Sequence, residues 1–466
     1  MRRLTHSPFQ TPMNVTLRSV TLPDFGDPGD QPEISASIYE TRAKAAYRKA
    51  GTDWLVVYAD REHFGNIIFL TGFEPRFEEA FLLLGPKNER VLITGNESES
   101  YAVLAGLPGL TVLRSQSLSL MAQDRTVNTR LYDRFRDAGI TAGESLGLVG
   151  WKYLEPEEDA EYTRAFFIPA AYVQMLVRLV GSEGDLKEAT PVLMHPETGL
   201  RATVEVDQFA AFEWAATRCS QSLWRIVSGV REGDTEFDAV RRMGYSGDPL
   251  NVHTMFASAS PGSPIIGLRS ATGRKLRRGD GVTTAVGFWG ALSSRAGLID
   301  RRNDDFLKPA GAYFKSLIAW YETADLDVPG GAVFEAVNEK LAQAGLNSAL
   351  NPGHLTGHEE WMHSPIRPGS TEKLRSGMPF QIDIIPTPLP AGQALNCEDP
   401  VTLGDQDFRN ELKQKWPACF ARVEARRVFM REQLGVNVKA SILPLSSTPL
   451  CLPPFWLEKD LVLVTS

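Results

Sequence analysis

Short apolar runs separated by turn residues fill the first part of the chain: DWLVVYAD (53–60), GNIIFLTGF (65–73), AFLLLG (80–85), RVLITG (90–95), LTVLRS (110–115) and SLGLVG (145–150). Runs of that length suit buried strands, and they alternate with helical stretches such as IYETRAKAAYRKAG (38–51) and NTRLYDRFRDAG (128–139). This rhythm predicts an α/β domain over residues 36–196. Ahead of it, residues 1–35 are rich in Pro, Gly and Asp and are expected to form an arm or linker.

A different pattern starts at 197. In VDQFAAFEWAATRCSQSLWRIVSGV (206–230), Phe209, Phe212, Ala216, Cys219, Leu223, Ile226 and Val230 recur at steps of three and four, the mark of one buried helix face. Gly229 and Gly233 end it, and Thr235 is placed to cap EFDAVRRMG. GVTTAV, PFQIDIIP and ALNCED are strand-like, while FKSLIAWYET, VFEAVNEKLAQAG and ELKQKWPACFARVEARRVFMREQLG are helix-like. They interleave without a regular βαβ repeat, so residues 197–466 are expected to form an α+β domain. The Pro-rich tail is expected to run extended before a last short strand.

Composition narrows the function. The 466 residues carry a net charge of -8, which gives no electrostatic reason to expect nucleic acid or an acidic membrane as partner. No apolar run approaches the roughly 18 residues of a membrane span, and MRRLTHSPFQTPMN lacks the apolar core of a secretory signal. Four widely spaced cysteines form no C-x-x-C pair. A soluble cytoplasmic protein acting on a small molecule or short peptide is expected.

Three of the seven histidines fall in NPGHLTGHEEWMHSP (351–365), beside Glu359, Glu360 and Trp361. Downstream, Asp383 in FQIDIIP and Glu398 in ALNCED place carboxylates inside apolar strand-like runs. A buried carboxylate needs a partner, a metal or a cavity. With a nearby histidine these acids form a candidate site. A solvent-facing acid on an alternating strand is the plainer alternative.

Written in full, GHLTGHEEWMHSPIRPGSTEKLRSGMPFQIDIIP resembles the active-site stretch of the pita-bread superfamily of creatinase, aminopeptidase P and methionine aminopeptidase. His354 takes the first histidine place, Pro365 the proline, Pro368-Gly369-Ser370 and Gly377-Met378 the two turns, and Asp383 the strand acid. Glu398-Asp399 resembles the Glu-Asp of the final active-site strand, and 205–244 and 54–95 resemble the openings of the catalytic and N-terminal domains. The likeness covers most of 36–405; the extension from about 406 lies outside the usual pattern. It implies an α/β N-terminal domain followed by a pita-bread α+β catalytic domain, paired as a homodimer.

The departures from the pattern decide the chemistry it implies. Family metalloenzymes hold two ions with two aspartates, a histidine and two glutamates. Here Ala285 follows the Gly279-Asp280 turn at the first aspartate place, Ser293 and Ser294 stand near the second, and Trp361 replaces the second histidine. No dinuclear centre and no cofactor are therefore expected. The creatinase branch, which also lacks the metal aspartates, is the nearer pattern. It implies a hydrolase of a C–N bond in an amino-acid-like, guanidino or amide substrate. His354 would be its acid or base, with Asp383 and Glu398 gripping N–H groups. Glu360, Trp361 and Gln381 would line the pocket, Arg295 or Arg269 would hold a substrate carboxylate, and His63 would reach substrate from the N-terminal domain. A one-metal peptidase at His354, Asp383 and Glu398, or a degenerate binding protein, are the alternatives.

Overall fold

The computed structural model describes residues 14–127 and 130–465, so all but the last residue of the stretch MRRLTHSPFQTPMN considered above lies outside the described residues. The chain divides into two compact units. One comprises Pro32–Ala211 with the excursion Thr356–His363; the other comprises Phe212–Leu355 and Ser364–Ser466 with the stretch up to Gln31. The expected boundary after residue 196 lies ahead of this division, which falls inside the helix Val206–Gly229.

The N-terminal unit is built on a six-stranded mixed sheet. Its order is Thr111–Arg114, Arg90–Thr94, Ala80–Leu84, Trp54–Ala59, Leu146–Val149 and Leu186–Glu188. Ala80–Leu84 runs antiparallel to both of its neighbours, and the other pairings are parallel. Trp54, Val56, Phe81, Ile93, Phe135 and Leu148 meet in its core. The helix Ala36–Ala50 ends where Gly51 turns left-handed. GNIIFLTGF departs from the strand-like expectation, because Gly65–Thr71 is a helix buried on every side. A run that is apolar all round carries no period by which helix and strand can be told apart.

The C-terminal unit carries an antiparallel sheet ordered His354–Leu355, Pro379–Ile382, Asn396–Leu403, Ala291–Leu298, Gly281–Phe288 and Met255–Ala259, with Ile442–Pro444 also paired to Asn396–Leu403. The helices Asp304–Thr323 and Gly330–Ala342 pack on one another. Thr235 makes the expected cap as a full capping box with Asp238. The expected long helix after 411 is two, Gln406–Lys415 and Pro417–Glu432, since Pro417 has no N–H to continue the first. Part of the expected arm is also ordered: Val15–Ser19 pairs antiparallel with Leu461–Thr465. Its brief V-T-L alternation is too short to stand out from the Pro and Gly around it.

The C-terminal extension is integral to this unit. Arg426 and Arg422, on the second of its helices, close on the fully buried Glu213 of the long helix, and Arg426 also donates to Thr217 Oγ1 at 2.7 Å. Arg422 and Arg426 of this helix thus face the interior rather than solvent. The two cations overcome the penalty of burial and hold the Glu213 carboxyl below its ordinary range.

Candidate functional site

Register brings the sequence candidates of the C-terminal unit onto one face of its sheet. Met255 pairs with Ala285, Ala285 with Ser294, and Ser294 with Glu398, so these four form a row across four strands. His354 pairs with Gln381. Ile382 pairs with Asp399, so Asp383 leaves the ladder level with Glu398. All of His354, Gln381, Asp383 and Glu398 are buried.

His354 is set by its neighbours. Gly353, at φ 132°, turns the chain into the strand, and a Cβ there would lie 3.1 Å from both the Gln381 carbonyl and the Trp320 indole nitrogen. Ser364 Oγ fixes the turn by donating to the Gly353 carbonyl at 2.6 Å. The His354 Nδ1 faces its neighbour's carbonyl, Leu355 O, at 3.2 Å. A carbonyl only accepts, so this contact assigns the proton to Nδ1 and leaves Nε2 with the lone pair in the neutral ring. A donor atom of His354 lies within 4.8 Å of a Glu398 carboxylate oxygen. The Gln381 amide donates to Glu398 Oε1 at 3.2 Å and to Leu292 O at 2.6 Å, tying the acid to the neighbouring strand.

The place of a metal pair on this face is apolar. Ala285 packs with Met255 and Leu292. Ala296, two residues beyond Ser294 on the same face and paired with Thr283, offers no donor either. Ser294, expected near that place, donates its hydroxyl to Thr284 O at 3.0 Å. Two cations close together need several anionic ligands to offset their repulsion. This donor set does not fit a dinuclear centre.

Arg295 is a correction to the sequence reading. Alternation turns it to the opposite face from Ser294 and Glu398, where it is wholly buried. There it donates to both Asp399 carboxylate oxygens at 3.1 and 2.8 Å, and to the carbonyls of Cys451 and Thr448 at 2.8 and 2.6 Å. It pins the C-terminal extension to the sheet and has no reach to substrate on the other face. Arg269 is likewise committed, to the buried Glu236.

His63 and Trp361 belong to the N-terminal unit, where they line one cavity of about 430 Å³ with Trp151, Lys152, Glu359 and Met362. Glu360 lies half-buried in the same 356–363 excursion. That excursion is held by Glu359 on Arg201, whose Nη1 also donates to Asn66 Oδ1 at 2.7 Å, and by Tyr153 Oη 3.0 Å from His363 Nε2. Beside it, burial together with the nearby Arg201 and Arg42 cations pushes the His358 imidazole down to about 3, so it is neutral at ordinary pH. His354 and His358 fall in different units, the strand that carries His354 ending at Leu355. Sequence reasoning missed Asp60, which sits 3.0 Å from His63 Nδ1, and the Trp151-Lys152 pair. The i, i+3 spacing of Asp60 and His63 in ADREH was the available signal.

No protein-family model matches the chain, and no curated protein matches its sequence. Solved structures do match in fold. The prolidase from Pyrococcus horikoshii OT3 aligns with TM-score 0.61 and 14% identity, over 78% of this chain and 95% of its own. Dipeptidase PepE from Mycobacterium ulcerans gives 0.61 and 19%, over 80% and 95%. The X-Pro aminopeptidase from Thermotoga maritima MSB8 gives 0.59 and 15%, over 78% and 95%. The chain thus has the fold of the pita-bread prolidases and aminopeptidases.

Proposed function

We propose that the chain is a creatinase-like hydrolase that cleaves a C–N bond of a small amino-acid-like, guanidino or amide substrate without a dinuclear metal centre. The observation that carries the reading is the pairing of a retained acid/base set with lost metal places. His354, Gln381 and Glu398 share a face with Ala285 and Ala296. The peptidase names of the fold neighbours support C–N hydrolysis as the reaction class.

In this reading water adds to the carbonyl or amidine carbon and the C–N bond breaks, the leaving nitrogen taking a proton. His354 Nε2 accepts the water proton and returns it to that nitrogen, the role its Nδ1 contact with Leu355 O prepares. Glu398, steadied by Gln381, and Asp383 accept hydrogen bonds from substrate N–H groups. The active species is a homodimer in the cytoplasm.

The test is turnover by chelator-treated protein across a panel of guanidino, amide and proline-containing dipeptide substrates. Hydrolysis that survives chelation and is lost in a folded His354→Ala variant is expected. Full activity of that variant on the same substrate would sink the reading.

A further inference from the structure

The cavity of the N-terminal unit holds chemistry that C–N hydrolysis does not use. Its floor is apolar: Met194 and Met362 are buried, and the indoles of Trp151 and Trp361 stand at its rim, each about two-fifths exposed. Its acids are spent or outside. Both Glu359 oxygens are taken by Arg201, and the Glu62 side chain is three-quarters exposed beside Arg61. The amide of Asn66 is committed on both sides, donating to Gly150 O at 2.9 Å and accepting from Arg201.

Two groups able to carry positive charge remain in the lining. Lys152 Nζ lies 5.2 Å from the Trp151 ring centroid and 4.6 Å from that of Phe167. Ring faces, rather than a carboxylate among the described residues, hold this ammonium. The His63 ring stacks on Trp151 with centroids 4.4 Å apart and planes 23° apart. Its Nδ1 is 3.0 Å from both Asp60 oxygens, and its backbone N–H also meets Asp60 Oδ1 at 2.8 Å. Asp60 in turn meets Tyr58 Oη at 3.1 Å, Tyr58 Oη meets Glu79 at 3.0 Å, and Tyr172 Oη reaches the other oxygen of Glu79. A hydrogen-bonded chain running into the sheet thus fixes the imidazole, with Nδ1–H directed at the aspartate. With its proton on Nδ1, the ring accepts at Nε2 when neutral and donates there only as the imidazolium.

We propose that this cavity binds a carboxylate carried on an aromatic or other apolar body. The carboxylate pairs with Lys152 and accepts from Nε2–H of His63 in its imidazolium form, while the body lies against the methionines and tryptophans. An ammonium ligand of the same shape meets the like charge of Lys152 and is rejected. The site is independent of the hydrolase reading, since none of its polar contacts involves His354, Asp383 or Glu398.

Isothermal titration of the full chain with 4-phenylbutyrate, 4-phenylbutyramide and 4-phenylbutylamine tests the proposal. One molecule of the acid per chain should bind, with the amide weaker by roughly tenfold or more and the amine not binding. Lys152→Met and His63→Gln each replace a side chain at the accessible rim and should weaken the acid by roughly tenfold while leaving the amide unchanged. Equal binding of acid and amide, acid binding untouched by both substitutions in folded protein, preference for the amine, or no heat from the acid up to about 10 mM would each overturn it.

Discussion

Replacing Arg295 by Met should destabilise the C-terminal unit by about 3–5 kcal/mol, the usual cost of removing one partner from a buried ion pair. The side chain is 0% exposed and the Asp399 carboxylate 3%. With the guanidinium gone, Asp399 Oδ2 keeps the Leu450 N–H at 2.9 Å, which is less than an ionised acid needs in a dry interior. The carbonyls of Thr448 and Cys451 lose their donor in the same step. A second substitution, Asp399→Leu, removes the stranded charge, so the double variant should be more stable than Arg295→Met alone. Urea unfolding followed by tryptophan fluorescence gives the energies. Hydrogen exchange over 442–452 should show that segment loosening first. A change below about 1 kcal/mol together with loss of substrate binding would refute the structural role and restore Arg295 as a substrate anchor.

Two further outcomes are expected. The His358 imidazole is held near 3 in the folded protein against an ordinary 6.5, so between these values the unfolded chain binds the extra proton. The stability it contributes is complete above its ordinary value and falls as pH drops toward 3. The loss is about 2 kcal/mol between pH 7 and pH 5, and the pH dependence of unfolding should flatten by that amount in His358→Gln. For metal, wild-type protein incubated with manganese should retain less than about a tenth of an equivalent, and Ala285→Asp with Ala296→Asp should raise it well above that. Retention of one equivalent by the wild type, lost in Glu398→Gln, would favour the one-metal alternative.

Much of the candidate site was legible because it lies in short strands beside punctuation. Gly353-His354 and the paired turns before FQIDIIP mark where the chain must bend, and an acid within an apolar strand needs a reason to be there. Strand phase was not legible. Ser294 and Arg295 are adjacent, and only the hairpin register, with Ala285 opposite Ser294, shows that the serine faces Glu398 while the arginine faces Asp399. Helix identity in GNIIFLTGF was hidden by burial on all sides, as noted for its missing period. The assignment of 356–363 to the N-terminal unit rests on Glu359 meeting Arg201, a contact 158 residues apart that no local pattern encodes. The buried arginines of the extension hid for the same reason, since charge spacing on a helix does not reveal a Glu213 waiting across the unit.

The pairing of Val15–Ser19 with Leu461–Thr465 sets Val15 opposite Thr465, roughly 5 Å away between Cα atoms. The first and last described strands are therefore clasped side by side, so residues 15 and 465 meet across almost the whole length of the sequence. A short Gly-rich bridge between residues 14 and 465 would let the termini be moved to an exposed loop. A reporter or tether could then be attached far from this seam, with the order of packing inside the unit left as it is.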